Sequence, residues 1–149
     1  MKLREKIILT ILLAILVWLL YGCKPGGDNL VAGHPPSVEA LTKRYIALNE
    51  CCFNMELPGG NTVIRIRNLT SENIMGHLDF NEGAKYNWII SIDHDAHPFE
   101  KQAEATLIHE MCHQWDHVHD IDEGLDGHNQ NHEDCMIRVA HKGGWHDIW

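Results

Sequence analysis

Apolar residues change their spacing several times along the chain, and each change marks an element. From Val38 onward, Val38, Leu41, Tyr45 and Leu48 recur three or four residues apart, which predicts one face of a helix with Ser37 as its N-cap. Leu57-Pro58-Gly59-Gly60-Asn61 predicts a turn. Thr62 to Arg67 alternates, as a half-buried strand does, and Met75 to Phe80 and Asn87 to Ile92 predict two further strands. Asp93 to Pro98 reads as a loop. Pro98 suits the first turn of a helix running to about Trp115, with Phe99, Ala103, Ile108, Met111, Cys112 and Trp115 as its buried stripe. A polar stretch rich in Asp, Gly and His continues to Asn131, and a short helix from His132 to Ala140 follows. No internal repeat interrupts this order. The predicted fold class is α+β.

The N-terminus follows a different logic. Ile7 to Leu20 is a run of fourteen residues, apolar except for Thr10, preceded by Lys2, Arg4 and Lys6. A positive segment, a short apolar run and a small residue form the pattern of a secretory signal. The run is short for a membrane span, which needs roughly 20 residues. Leu20-Tyr21-Gly22-Cys23 resembles the lipobox of bacterial lipoproteins. That resemblance implies that Cys23 is the lipidated first residue of the mature chain. An uncleaved anchor and plain secretion are the alternatives. All three place the remainder outside the cytoplasm, at the cell envelope. Residues 1–23 are thus assigned to the signal, 24–36 to a Gly- and Pro-rich tether, and 37–149 to one domain.

Charge narrows the class of partner. From Lys24 onward there are 9 Lys and Arg against 20 Asp and Glu, a net −11. So acidic a domain offers no footprint for a phosphate backbone, which argues against nucleic acid as its primary partner. Twelve His in 149 residues is the unusual feature, and imidazole is a common metal ligand. Cys51, Cys52, Cys112 and Cys135 form an even set, and an oxidising compartment permits two disulfides among them. Adjacent Cys51 and Cys52 are poorly placed to bond each other, whereas Cys112 with Cys135 is a conceivable pair.

His109-Glu110-Met111-Cys112-His113 is the chemical motif. Two His four apart share a helical face and reach one Zn²⁺, while the Glu beside the first can act on a zinc-activated water as general base. A catalytic zinc needs a third protein ligand and an open fourth position. Three residues compete for third place. His119 would extend the motif to HExxHxxDxxH, as in metzincins, with Asp116 where Gly is usual. Glu133 lies twenty after His113, as in thermolysin-like enzymes, and His128 lies fifteen after it in Gly127-His128. His117 shares the ligand face if the helix continues, although a solvated helix end is its simpler reading. Likewise His94 and His97 read as exposed loop residues, and Asp116, Asp120, Asp122, Glu123 and Asp126 as a solvated acidic run.

The third arrangement is the one in which a family resemblance becomes specific. Leu107-Ile108-His109-Glu110-Met111-Cys112-His113, then Asp126-Gly127-His128, then Met136-Ile137-Arg138 resemble the SprT-like domain, the zinc metallopeptidase module of the Spartan and SprT proteins. Leu57-Pro58, Met75-Gly76 and the strand from Trp88 to Ile92 also fit its order, so the likeness covers about residues 37–142. The resemblance implies a zincin-type fold, in which a small sheet packs on the HExxH helix. It implies zinc held by His109, His113 and His128, and Glu110 as the catalytic base. After the third His the family often has Gly-Pro and an aromatic residue, where this chain has Asn129, Gln130, Asn131 and His132. The family's DNA-associated role is not carried over to an exported acidic domain. The expected partners are a protein or peptide substrate, and the membrane through the N-terminal lipid or anchor. Two other readings remain open: a non-catalytic zinc-binding envelope lipoprotein, and an amidase or peptidase acting on peptidoglycan stem peptides.

Overall fold

The computed structural model describes residues 35–85, 87–97, 99–121 and 127–144. The signal, Cys23, most of the tether and the C-terminal Trp145 and Trp149 lie outside the described residues. Among the described residues, three α-helices and one three-stranded sheet make up a mixed α+β fold. Among the described residues no helix is long and apolar enough to cross a membrane.

Helix α1 spans Val38–Cys52, and the Ser37 hydroxyl caps it by accepting from Ala40 N at 3.1 Å. Leu41, Tyr45, Leu48 and Cys52 fall on its buried face. The helix stops where Asn54 and Met55 take positive φ of 54° and 63°. The Asn49 amide then pins the returning chain, donating to Leu57 O at 2.9 Å and accepting from Leu57 N at 3.1 Å.

The strands are β1 (Thr62–Arg67), β2 (Gly76–Phe80) and β3 (Trp88–Asp93), in the order β1-β3-β2. β1 runs parallel to β3, with Thr62 opposite Trp88 and Arg67 opposite Asp93. β2 is antiparallel, with Gly76 opposite Ile92 and Phe80 opposite Trp88. The central strand is therefore β3, and its Trp88, Ile90 and Ile92 are buried. Polar His77 and Asp79 interrupt β2, as befits an edge strand.

Helix α2 (Glu100–Val118) packs against α1, β2 and β3. Ala103, Leu107, Ile108, Met111 and Cys112 are its fully buried stripe. Phe99 was expected in that stripe but is 44% exposed, because it sits at the N-cap position before the helix turns inward. Trp115 is half-buried under Arg138, whose guanidinium lies 4.2 Å from the indole ring centre. Buried polar links fix the helix along its length. Tyr45 Oη donates to Gln114 Oε1 at 2.8 Å, Gln114 Nε2 donates to Thr62 Oγ1 at 2.9 Å, and Arg44 pairs with the buried Glu104.

Helix α3 spans Gln130–His141, with Asn129 Oδ1 accepting from the Asn131 and His132 amides at 2.9 and 3.2 Å. The Cys112–Cys135 disulfide joins α2 to α3 across a sequence separation of 23, a pairing the sequence left open. Cys51 and Cys52 do not bond each other; Cys52 is a buried free thiol. Closing a loop of that length stabilises a fold by about 3 kcal/mol through the unfolded chain. The double variant Cys112→Ser/Cys135→Ser should therefore lose about 3 kcal/mol in urea unfolding at pH 7. A loss below about 0.5 kcal/mol would show that the α2–α3 contact holds without the bond.

Candidate metal centre

The site is built where α2 meets the start of α3. His109 and His113 are one helical turn apart, and their Nε2 atoms lie 3.1 Å from each other. Gly127, at φ 70°, turns the chain immediately before His128, a conformation that favours glycine. That turn brings His128 Nε2 to 3.0 Å from His109 Nε2. A fourth imidazole comes from the first turn of α3, where His132 Nε2 lies 3.3 Å from the other ring nitrogen of His109, Nδ1. One nitrogen from each of the four rings falls within 4.8 Å of the others, so the group could hold a metal ion.

The electrostatics favour the form that binds metal. Burial pushes His113 down to about 3, helped by the neighbouring imidazoles of His132, His109 and His128. Burial likewise pushes His132 down to about 4, with His109 and His128 adding to it. His109 is lowered by burial and then by His128. Near neutral pH these rings carry lone pairs rather than charge, as coordination requires.

A cleft of about 690 Å³ opens on one side of the cluster. His109, His113 and His128 line it, together with Glu110 and residues Met75 to Leu78 at β2. Glu110 is 4% exposed. The backbone of Gly76 lies directly on it: a Cβ there would stand 2.5 Å from Glu110 Oε1 and 2.4 Å from Thr106 Cγ2. Only glycine lets β2 come this close. Thr106 is held from the far side by His97 Nε2 at 2.8 Å. His132 does not line the cleft; it is 3% exposed and stacks on His113 with ring centres 4.1 Å apart.

The structure brings His109, Glu110, His113 and His128 together, and sends the other two candidates for third ligand elsewhere. His119 turns back, with Nδ1 2.8 Å from Trp115 O and Nε2 3.3 Å from a Glu56 carboxylate oxygen. Glu133 is exposed on α3. His117 lies on the helix, but its ring packs against Phe80 and Trp88, at 5.1 and 4.9 Å, as part of the cleft wall. Two expected surface groups are buried instead. His97 is tucked under α2 beside Thr106, and Asp116 is 0% exposed, with Oδ2 3.7 Å from His132 Nδ1. Asp122, Glu123 and Asp126 lie outside the described residues. Sequence reasoning missed His132. The signal for it was its place four residues after His128 and three before Cys135. The chain matches no protein-family model, no curated protein and no solved structure.

Two outcomes are expected. Metal titration of the full-length chain should give one divalent ion per chain, lost in His109→Ala, His113→Ala and His128→Ala and kept in His119→Ala and Glu133→Gln. Loss in His119→Ala alone would contradict this site. Second, the metal-free fold should weaken in acid. The unfolded chain takes up protons near pH 6.5, whereas buried His113 and His132 resist them down to about 3 and about 4. The unfolded state then binds more protons, so stability falls as pH drops below about 6.5. Thermal unfolding in chelator at pH 7.5 and pH 5 checks the sign.

Proposed function

We propose that this protein is an exported zinc metallopeptidase with a SprT-like, zincin-type active site. The observation that carries the reading is the convergence of three imidazole Nε2 atoms on one side of a cleft that also holds the buried carboxylate of Glu110. In a tetrahedral site with Zn–N of 2.0–2.1 Å, ligand nitrogens stand about 3.3–3.4 Å apart. The spacings of 3.1 and 3.0 Å come close to that, and neutral imidazoles suit the ion. His109, His113 and His128 would hold the zinc. When bound, zinc supplies Lewis acidity, polarising a carbonyl and making a water acidic at neutral pH.

The chain's own residues do the rest. Glu110 takes a proton from the attacking water on its carboxylate and later passes it to the departing amine nitrogen. The backbone of Gly76 lies against the carboxylate and leaves it no room to swing toward β2. β2 is a sheet edge flanking the cleft, and an extended peptide laid along it could find main-chain hydrogen bonds. The acidic balance of the domain supports a protein or peptide substrate over nucleic acid. Export, with lipid on Cys23, is supported by the N-terminal pattern, and the Cys112–Cys135 disulfide fits an oxidising compartment.

His132 favours a second reading. If it completes the coordination shell, the site is closed and the protein is a non-catalytic zinc-binding lipoprotein. Its approach to His109 through Nδ1, from behind the cleft, weighs against that. Protein and peptidoglycan stem peptides are separated by assay, on casein and on purified cell wall.

Glu110→Gln should keep its zinc and lose roughly 10²–10⁴-fold in hydrolysis of whichever substrate is cleaved. Full activity in that variant would sink the mechanism. Gly76→Ala should also keep zinc while losing activity, since the added methyl must displace Glu110 or Thr106. A zinc-loaded wild type that cleaves neither substrate would favour the binding protein.

A further inference from the structure

Behind the cleft, three residues stand in series. His109 turns Nε2 toward His113 and His128, and turns Nδ1 toward His132 Nε2 at 3.3 Å. His132 in turn presents Nδ1 to Asp116 Oδ2 at 3.7 Å. His132 and Asp116 are withdrawn from solvent, and neither lines the cleft. The four-ring group alone would suggest four equivalent ligands. The atoms facing each other say otherwise: a fourth ligand should bring its nitrogen near the Nε2 atoms, whereas His132 meets the far side of the His109 ring.

We infer that His132 is a positioning residue, which accepts the Nδ1–H of His109 and is itself oriented by the buried Asp116 carboxylate. A neutral imidazole carries one N–H, so a metal on His109 Nε2 leaves the three groups one consistent assignment. The Asp116 anion favours the Nδ1–H form of His132; at 3.7 Å the contact is a charge interaction, longer than a hydrogen bond. His132 Nε2 is then an acceptor. It takes the Nδ1–H of His109, which leaves His109 Nε2 with its lone pair aimed at the metal. Partners of this kind fix a ligand's tautomer and ring angle, and raise its basicity. The chain supplies all three residues from two helices: His109 and Asp116 lie two turns apart on α2, and His132 comes from α3. The inference rests on the metal-centre reading above and does not require hydrolysis.

The test uses the full-length, zinc-loaded chain. Long-range ¹H–¹⁵N spectra of the histidine rings should show His132 with a protonated Nδ1 and a metal-free, hydrogen-bonded Nε2, and His109 with a metal-bound Nε2. Competition against a chromophoric chelator should show zinc about 10–100-fold weaker in His132→Phe, still at one ion per chain. His132→Gln, which keeps an acceptor, should recover part of that loss. Asp116→Asn should redistribute the His132 tautomers. A metal-bound nitrogen on His132 would overturn the inference and make it the fourth ligand. Wild-type affinity in His132→Phe with unchanged His109 signals would overturn it too, leaving His132 as packing. Absence of zinc binding in the wild type would remove the centre and the relay together. Retained hydrolysis in Glu110→Gln would sink the peptidase mechanism and leave this inference standing.

Discussion

The contact between α2 and α3 is the constraint on which the rest depends. Neither helix holds a metal site alone: α2 gives two imidazoles, and the others arrive with and just before α3. Cys112 and Cys135 bind the helices covalently, and each sits beside the chemistry. Cys112 immediately precedes His113, and Cys135 follows His132 by three residues, within one turn. Imidazoles whose Nε2 acceptor atoms face one another do not attract. The approach of His113 and His128 to His109 Nε2, at 3.1 and 3.0 Å, must be held from outside, by the disulfide and the surrounding core. A metal ion would reverse that balance and return its binding energy to the fold.

The same logic explains why α2 is so firmly seated. Its apolar stripe is fully buried, yet apolar packing alone is tolerant of small rotations about the helix axis. Directional contacts remove that freedom. Gln114 reaches both Tyr45 and Thr62, while Glu104 meets Arg44 on α1. Between these two anchors lie Thr106, His109, Glu110 and His113, the residues whose placement must be held most closely. At the sheet, β2 approaches so tightly that position 76 admits no side chain. The cleft is thus walled by α2 and β2, with Ile74, Met75 and His128 added from the segments that lead into β2 and α3.

Local patterns made much of this legible. The three helices, the three strands and the HExxH spacing follow from periodicity and from residue chemistry that acts within a few positions. What was not legible is non-local. The order β1-β3-β2, with one parallel and one antiparallel pair, depends on contacts between distant segments. His119 and His128 could both be drawn as the third ligand until the fold settled them: α2 ends at Val118, and the His119 ring folds back onto Trp115. Asp116 read as part of a polar stretch and His132 as the start of a short helix, because nothing nearby in sequence buries them. Each is hidden only by the docking of the other's helix. Phe99 failed in the opposite direction: its spacing suited the stripe, but the backbone at the N-cap does not yet follow helical geometry.

The two sides of the histidine cluster are unequal, and that asymmetry bears most directly on what the site is for. A centre whose purpose is to brace the fold gains by being enclosed, because enclosure excludes competing water and rigidifies the ligands. Here His132 and Asp116 enclose one side only. On the other, the protein leaves a cleft and lines it with a carboxylate that is largely withdrawn from water. A bracing site has no use for that arrangement. The proposed peptidase site, which would admit a substrate on one face and hold its ligands still from the other, needs both halves of it.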